Sequence, residues 1–180
     1  MIKVTIAAGH GGWKDFVKKL YTTPGKRTPD GVPEWVYNDK VVRAFINFLS
    51  HYQDVAILRL DDPTGKTDVP LKERSDRSNS WGADIHIDVH HNAQDHIWDN
   101  VGFGIETYVY PTASKESRRL ASLVHPKYVK AMGLKDRGIK ESNLHMLREV
   151  KCPAILTEGG FMDSKIDVAA MNDDAKLKAQ

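Results

Sequence analysis

Asp84-Ile85-His86-Ile87-Asp88-Val89-His90-His91-Asn92 is the stretch on which the fold turns. Side chains alternate across a strand, so Ile85, Ile87 and Val89 take one face and His86, Asp88 and His90 the other. Both faces of such a strand are buried, and three polar residues on one of them cost free energy unless each finds a partner. A metal ion with its surrounding hydrogen bonds supplies such partners. A closed polar network under a loop does so too.

Working outward, residues 2–8 form an apolar, β-branched run that reads as a second buried strand. Further strands are expected at 54–60, 103–110 and 153–157, with a brief one at 144–147. Residues 9–33 read as a loop punctuated by Pro24-Gly25 and Asp30-Gly31. Helices are expected at 34–50, where Val41, Val42, Phe45, Ile46 and Leu49 recur at helical spacing, and at 70–82. A third helix, 112–132, should kink or break near His125 because Pro126 lies inside it. Residues 163–180 read as helical. Strands alternating with helices indicate an α/β fold: one domain, with a twisted, mostly parallel or mixed sheet flanked by helices on both faces.

The chain has 180 residues, which suits a single domain with a sizeable core. Its net charge of +2 is far below the basic surplus that marks a nucleic-acid binder, so no nucleic-acid partner is expected. No stretch approaches the roughly 20 apolar residues of a membrane span, so no membrane insertion is expected. The lone cysteine, Cys152, cannot form an intrachain disulfide. The apolar run at the N-terminus is too short for a secretory signal, so the chain is expected to be made in a cytoplasm.

Three further residues draw attention. His10 follows the first strand between glycines, Gly9 and Gly11-Gly12, at the strand end where α/β sheets gather functional groups. Glu158 closes the apolar Ala154-Ile155-Leu156-Thr157 and precedes Gly159-Gly160. A carboxylate there is desolvated, and the raised pKa that follows suits a general base. A carboxylate capping a loop fits the same pattern. Glu34 heads the first long helix, where the helix dipole favours a carboxylate whatever its role.

Taken in order, Gly9-His10-Gly11-Gly12, Glu34, Leu71-x-Glu73-Arg74, Val89-His90-x-Asn92-Ala93, residues 133–140 (GLKDRGIK), Leu147-Arg148 and Thr157-Glu158-Gly159-Gly160-Phe161 resemble the zinc-dependent N-acetylmuramoyl-L-alanine amidases of the Amidase_3 type. The order of dinuclear metallohydrolases, His-x-His-x-Asp-His, is not reproduced. The resemblance implies one Zn2+ per chain held by His10, Glu34 and His90, with Glu158 as the catalytic carboxylate. Two imidazoles and a carboxylate with an open fourth position form a hydrolytic rather than a structural zinc site. The implied substrate is bacterial peptidoglycan, and the implied bond is the amide between N-acetylmuramic acid and L-alanine of the stem peptide.

The chain departs from the family at His86, Asp88 and His91. His86 and Asp88 are expected to support the ligands, and His91 to point away from His90 and leave the metal to it. Asn92 and Arg74 are candidates for substrate contact. His96, His125 and His145 are expected on the surface or in packing. Other readings are a zinc peptidase or deacetylase, or a wall-binding module without chemistry. A monomer is expected, released to the cell wall through a holin or by lysis, with a C-terminal wall-binding module beyond residue 180.

Overall fold

The computed structural model describes residues 1–179. The chain runs through β1 (Ile2–Ala8), β2 (Trp13–Asp15), β3 (Leu20–Tyr21), α1 (Glu34–Leu49), β4 (Val55–Arg59), α2 (Leu71–Trp81) and β5 (Ile85–Asn92). It continues through β6 (Ile105–Val109), α3 (Lys115–Met132), β7 (Asp136–Glu141), α4 (His145–Glu149), β8 (Ala154–Phe161), α5 (Lys165–Met171) and α6 (Asp174–Ala179). Six strands form one sheet in the order β4-β1-β5-β8-β6-β7. The first four are mutually parallel, β6 is antiparallel to β8, and β7 follows β6 in parallel. The expected mixed α/β sheet is therefore present.

The register sorts side chains between two faces. His86 lies opposite Thr5 and Ala154, Asp88 opposite Ala7 and Leu156, and His90 opposite Glu158. Glu158 in turn lies opposite Glu106, and Leu156 opposite Tyr108. On this face Ala7, Ala154 and Leu156 pack with Leu60, Met146, Leu147 and Val150. On the other, Ile6, Ala8 and Val89 pack with Tyr37, Val41 and Val42 of α1, Tyr128 and Met132 of α3, and Met171 of α5. Each fully buried Ile, Val or Met there stabilises the fold by about 1.5–3 kcal/mol. With α1 on one face and α2 on the other, the strand order reverses at β1–β5. Open α/β sheets bind ligands at the carboxyl ends of the strands at such a reversal.

The structure corrects several local expectations. Residues 144–147 are not a strand but lead into α4, whose Met146 and Leu147 are buried. The segment 136–141, D-R-G-I-K-E, is a strand at the sheet edge, where charged residues and no apolar alternation are the norm. The loop 9–33 contains the β2–β3 hairpin. The helix α3 runs unbroken through Pro126, which sits on its exposed side near water that can satisfy the carbonyl left without a donor. The helical tail is two helices with a turn at Asn172, and residue 180 lies outside the described residues.

Candidate metal centre

His10 leaves β1 in a left-handed conformation, φ 63°, which turns its ring over the end of the sheet. Arg74 holds that turn. It is 1% exposed and donates to the carbonyls of Val69 (2.9 Å), Ala8 (3.0 Å) and His10 (3.3 Å), and to Asp68 Oδ1 (3.1 Å). Considered above as a substrate contact, Arg74 instead spends its donors inside the protein, on the backbone that presents His10.

Glu34 reaches the same point from the first turn of α1. Its Oε2 lies 3.4 Å from His10 Nε2 and its Oε1 2.9 Å from His90 Nδ1. The His10 and His90 rings meet edge to face with centroids 5.0 Å apart. Gly9 makes this approach possible, since a Cβ on it would fall 2.1 Å from His90 Cε1. Asn38, one turn along α1, donates to Glu34 Oε1 (3.2 Å) and to the Gly9 carbonyl (3.1 Å). Helix and strand end are thereby locked together.

His91 points to the opposite face, as the alternation predicts. Its Nδ1 donates to Asn38 Oδ1 at 2.7 Å, its backbone N–H donates to Glu34 Oε1 at 3.1 Å, and burial lowers its pKa to about 3. A neutral, hydrogen-bonded His91 supports the site from below. His86 and Asp88 share the His90 face and are fully buried. Asp88 Oδ2 lies 3.5 Å from His90 Nε2, and Thr5 Oγ1 lies 3.1 Å from His86 Nδ1. Among the described residues, His86 Nε2 and Asp88 Oδ1 have no hydrogen-bond partner.

Ligand atoms of His10, Glu34 and His90 all lie within 4.8 Å of one another. Burial opposes ionisation of Glu34, but His10 and then His90 hold its carboxyl well below the usual range. Burial lowers the His10 pKa; it opposes protonation of His90 too, yet Asp88 and Glu34 raise His90 well above the ordinary histidine value. A buried carboxylate between two imidazoles calls for positive charge, and three donors of this type and spacing can close on a single metal ion.

Glu158 lines the same cavity, of about 100 Å³, together with the three ligand candidates, Asn92 and Ala93. Among the described residues its Oε2 is buried without a partner, and burial pushes its carboxyl up to about 8, with Glu34 and Glu106 adding and His90 opposing. Such a group exchanges a proton near neutrality.

A family model described as N-acetylmuramoyl-L-alanine amidase, Amidase_3, matches residues 4–180. The chain belongs to this amidase family. It is 32% identical to the N-acetylmuramoyl-L-alanine amidase CwlM of Bacillus licheniformis, across 99% of this chain and 64% of that protein. It is likewise 32% identical to an endolysin of Bacillus phage SPP1, across 97% of this chain and 60% of the endolysin. The chain thus spans under two thirds of the length of these relatives. The crystal structure of N-acetylmuramoyl-L-alanine amidase from Clostridium difficile 630 superposes with a TM-score of 0.84 at 28% identity, covering 99% of this chain and 90% of that one.

Further residues of this amidase fold also reach the site. Lys26, which sequence reasoning passed over, and His96, expected on the surface or in packing, both line the cavity from loops, and His96 has a left-handed φ of 64°. Glu106 lies opposite Glu158 and accepts from Asn92 Nδ2 (3.3 Å), Tyr108 Oη (2.5 Å), Arg137 Nε and Lys140 Nζ. The signal available for this cluster was the basic 133–140 segment, whose position beside the site becomes visible only once β7 is placed. His125 and His145 lie elsewhere, in hydrogen bonds with Thr107 and Asp136, and with Ser75, respectively.

Proposed function

We propose that this chain is a zinc-dependent peptidoglycan amidase that hydrolyses the amide between the lactyl group of N-acetylmuramic acid and L-alanine of the stem peptide. The observation that carries this reading is the convergence of His10, Glu34 and His90 beside Glu158, whose Oε2 is buried and has no hydrogen-bond partner among the described residues. The donor set fits zinc, whose catalytic sites take three nitrogen or oxygen ligands and keep a fourth position open. Zinc held by His10, Glu34 and His90 would supply a Lewis acid that polarises the scissile carbonyl and lowers the pKa of water.

The chain's own residues do the rest. Glu158, as carboxylate, takes a proton from the attacking water while the water oxygen bonds to the carbonyl carbon. Glu158 then delivers that proton to the alanine nitrogen as the carbon–nitrogen bond breaks. The products are a free muramic lactyl acid and a peptide with a free N-terminal alanine. Glu34, anchored by Asn38 and the His91 N–H, keeps both histidines in place through this cycle. Arg74 holds the His10 turn from inside the protein.

Mass spectrometry of soluble products from purified peptidoglycan, with and without a chelator, tests the reading. The expected result is chelator-sensitive release of sugar-free stem peptides that begin with alanine. Cleavage within the stem peptide, or fragments still carrying sugar, would assign the site to another amide bond. A folded, zinc-loaded protein that releases nothing would be a wall-binding module.

A further inference from the structure

Along the site edge of the sheet the functional groups follow strand order, His10 after β1, His90 on β5, Glu158 on β8 and Glu106 on β6; on β7, Arg137 follows the Asp136–Ile105 pair beside Glu106, and Lys140, paired with Tyr108 two residues further from the edge, reaches back to Glu106 with its Nζ. Glu106, Arg137 and Lys140 belong to a cluster that the amide chemistry leaves unused. Glu106 Oε1 receives both Arg137 Nε and Lys140 Nζ, and Oε2 receives the Tyr108 hydroxyl and the Asn92 amide. The Glu106 side chain is 1% exposed, whereas those of Arg137 and Lys140 are 30% and 37% exposed. One inner carboxylate thus faces two outer cations, and a surplus positive charge stands on the open side.

Glu106 also fixes where the cations stand. Arg137 is held further by its guanidinium lying 4.9 Å over the Phe161 ring and by Nη1 reaching the Phe103 carbonyl at 3.4 Å. Long basic side chains normally lose rotamer freedom when they grip a ligand, and here that ordering is already in place.

The amidase reading sets the direction of the substrate. If Glu158 protonates the leaving nitrogen, that nitrogen sits at β8, with the acyl side over His10, Glu34 and His90. The peptide then continues away from the metal ligands, towards β6 and β7. Neighbouring strands lie about 4.8 Å apart, and one extended residue spans about 3.3–3.6 Å. The cations, drawn inward onto β6 by Glu106, therefore lie within one or two residues of the alanine nitrogen.

We propose that Arg137 and Lys140, positioned by Glu106, form an anion subsite that binds a carboxylate carried by the stem peptide one or two residues beyond the scissile amide. This inference rests on the amidase reading. It adds a preference for the ionic form of the peptide that the metal centre alone does not impose.

The test uses two synthetic muramoyl peptides that differ only in the residue after alanine, which carries either an α-carboxylate or an α-carboxamide. The zinc-loaded wild-type chain is expected to favour the carboxylate by about tenfold in kcat/KM, mainly through KM, and the preference should shrink as salt rises. Arg137→Gln and Lys140→Gln should each pull the ratio towards one, and Arg137→Lys should keep part of it. A merely structural role would lower both rates together and leave the ratio alone. Equal cleavage of both peptides by wild type, or a preference that survives in both glutamine variants, overturns the subsite while the amidase reading stands. If the wild type cuts neither peptide, the amidase reading falls and the subsite with it.

Discussion

Glu106 and Glu158 lie directly opposite one another across the antiparallel β6–β8 pair, and their surroundings drive the two carboxyls apart. For Glu106, burial opposes ionisation, but hydrogen bonds from Lys140, Tyr108 and Arg137 outweigh it and hold the carboxyl below its ordinary value. For Glu158, burial dominates and the carboxyl rises to about 8. Two neighbouring carboxyls separated in this way suit different tasks, and in the proposed mechanism Glu106 stays charged and organises while Glu158 moves protons.

Glu158→Gln should abolish turnover, because an amide can neither accept nor return the proton, and general acid–base catalysis is worth about 10²–10⁴-fold. Zinc content measured by atomic absorption should be unchanged, since Glu158 is not among the three converging ligand candidates. Wild-type kcat/KM should rise with pH as Glu158 ionises. A bound cation would draw that midpoint below the value of about 8 that burial sets. A variant that keeps a tenth or more of wild-type activity would remove Glu158 from the mechanism.

Glu106→Gln should destabilise the fold at neutral pH by about 1–3 kcal/mol, since it discharges the acceptor that two cations share. The folded pKa of Glu106 is depressed. Its stabilisation is therefore full above the unfolded carboxyl value and is lost as pH falls through the folded value. Chemical denaturation of both proteins across the acid range should show the gap closing on acidification. A gap independent of pH would mean that packing, not charge, explains the loss.

Gly9→Ala separates the metal centre from the rest of the fold. The added methyl would land within 2.1–2.4 Å of three atoms of the His90 ring, in the buried corner between β1 and β5. The ring has to swing away, and apparent zinc affinity should fall by at least about tenfold, in the range seen when the supports of metal ligands are lost. Calorimetric zinc titration of the metal-free variant reads this directly. Affinity within twofold of wild type would show that His90 does not ligate in the orientation described.

Some of this was legible in the residues and some was not. The run from Asp84 to Asn92 announced a buried strand with a polar face, because period-two alternation survives even where histidine replaces an aliphatic residue. Glu158 was visible because an acidic residue directly after an apolar run is unusual, although β8 continues past it to Phe161. Glu34 was not: its placement at a helix start satisfies the helix dipole, and only the family resemblance raised it. Glu106 hid for the opposite reason, since a glutamate in I-E-T-Y-V reads as the wet side of a half-exposed strand. Its burial depends on two cations brought by β7, an edge strand without apolar alternation. Lys26 and His96 come from loops whose paths no local pattern encodes.

Asp163 shows how one buried side chain can hold such a loop. It is fully buried at the end of β8, and its Oδ2 accepts backbone N–H groups from Gln94 (2.6 Å), Asp95 (2.9 Å) and His96 (3.0 Å). Those three residues follow directly on Asn92 and Ala93, so one carboxylate ties the wall of the cavity to the strand that carries Glu158. Replacing it by alanine leaves three backbone donors without their acceptor, and each buried donor that stays unsatisfied costs about 1–3 kcal/mol. Because the loop is partly exposed, water should recover part of that cost, so the expected signature is local. Amide hydrogen exchange at residues 94–96 should quicken in Asp163→Ala far more than at the core positions of β1 and β5. KM should rise more than kcat falls, since the loop lines the cavity while His10, Glu34, His90 and Glu158 keep their own supports. Exchange that quickens equally throughout the sheet would instead make Asp163 a determinant of global stability.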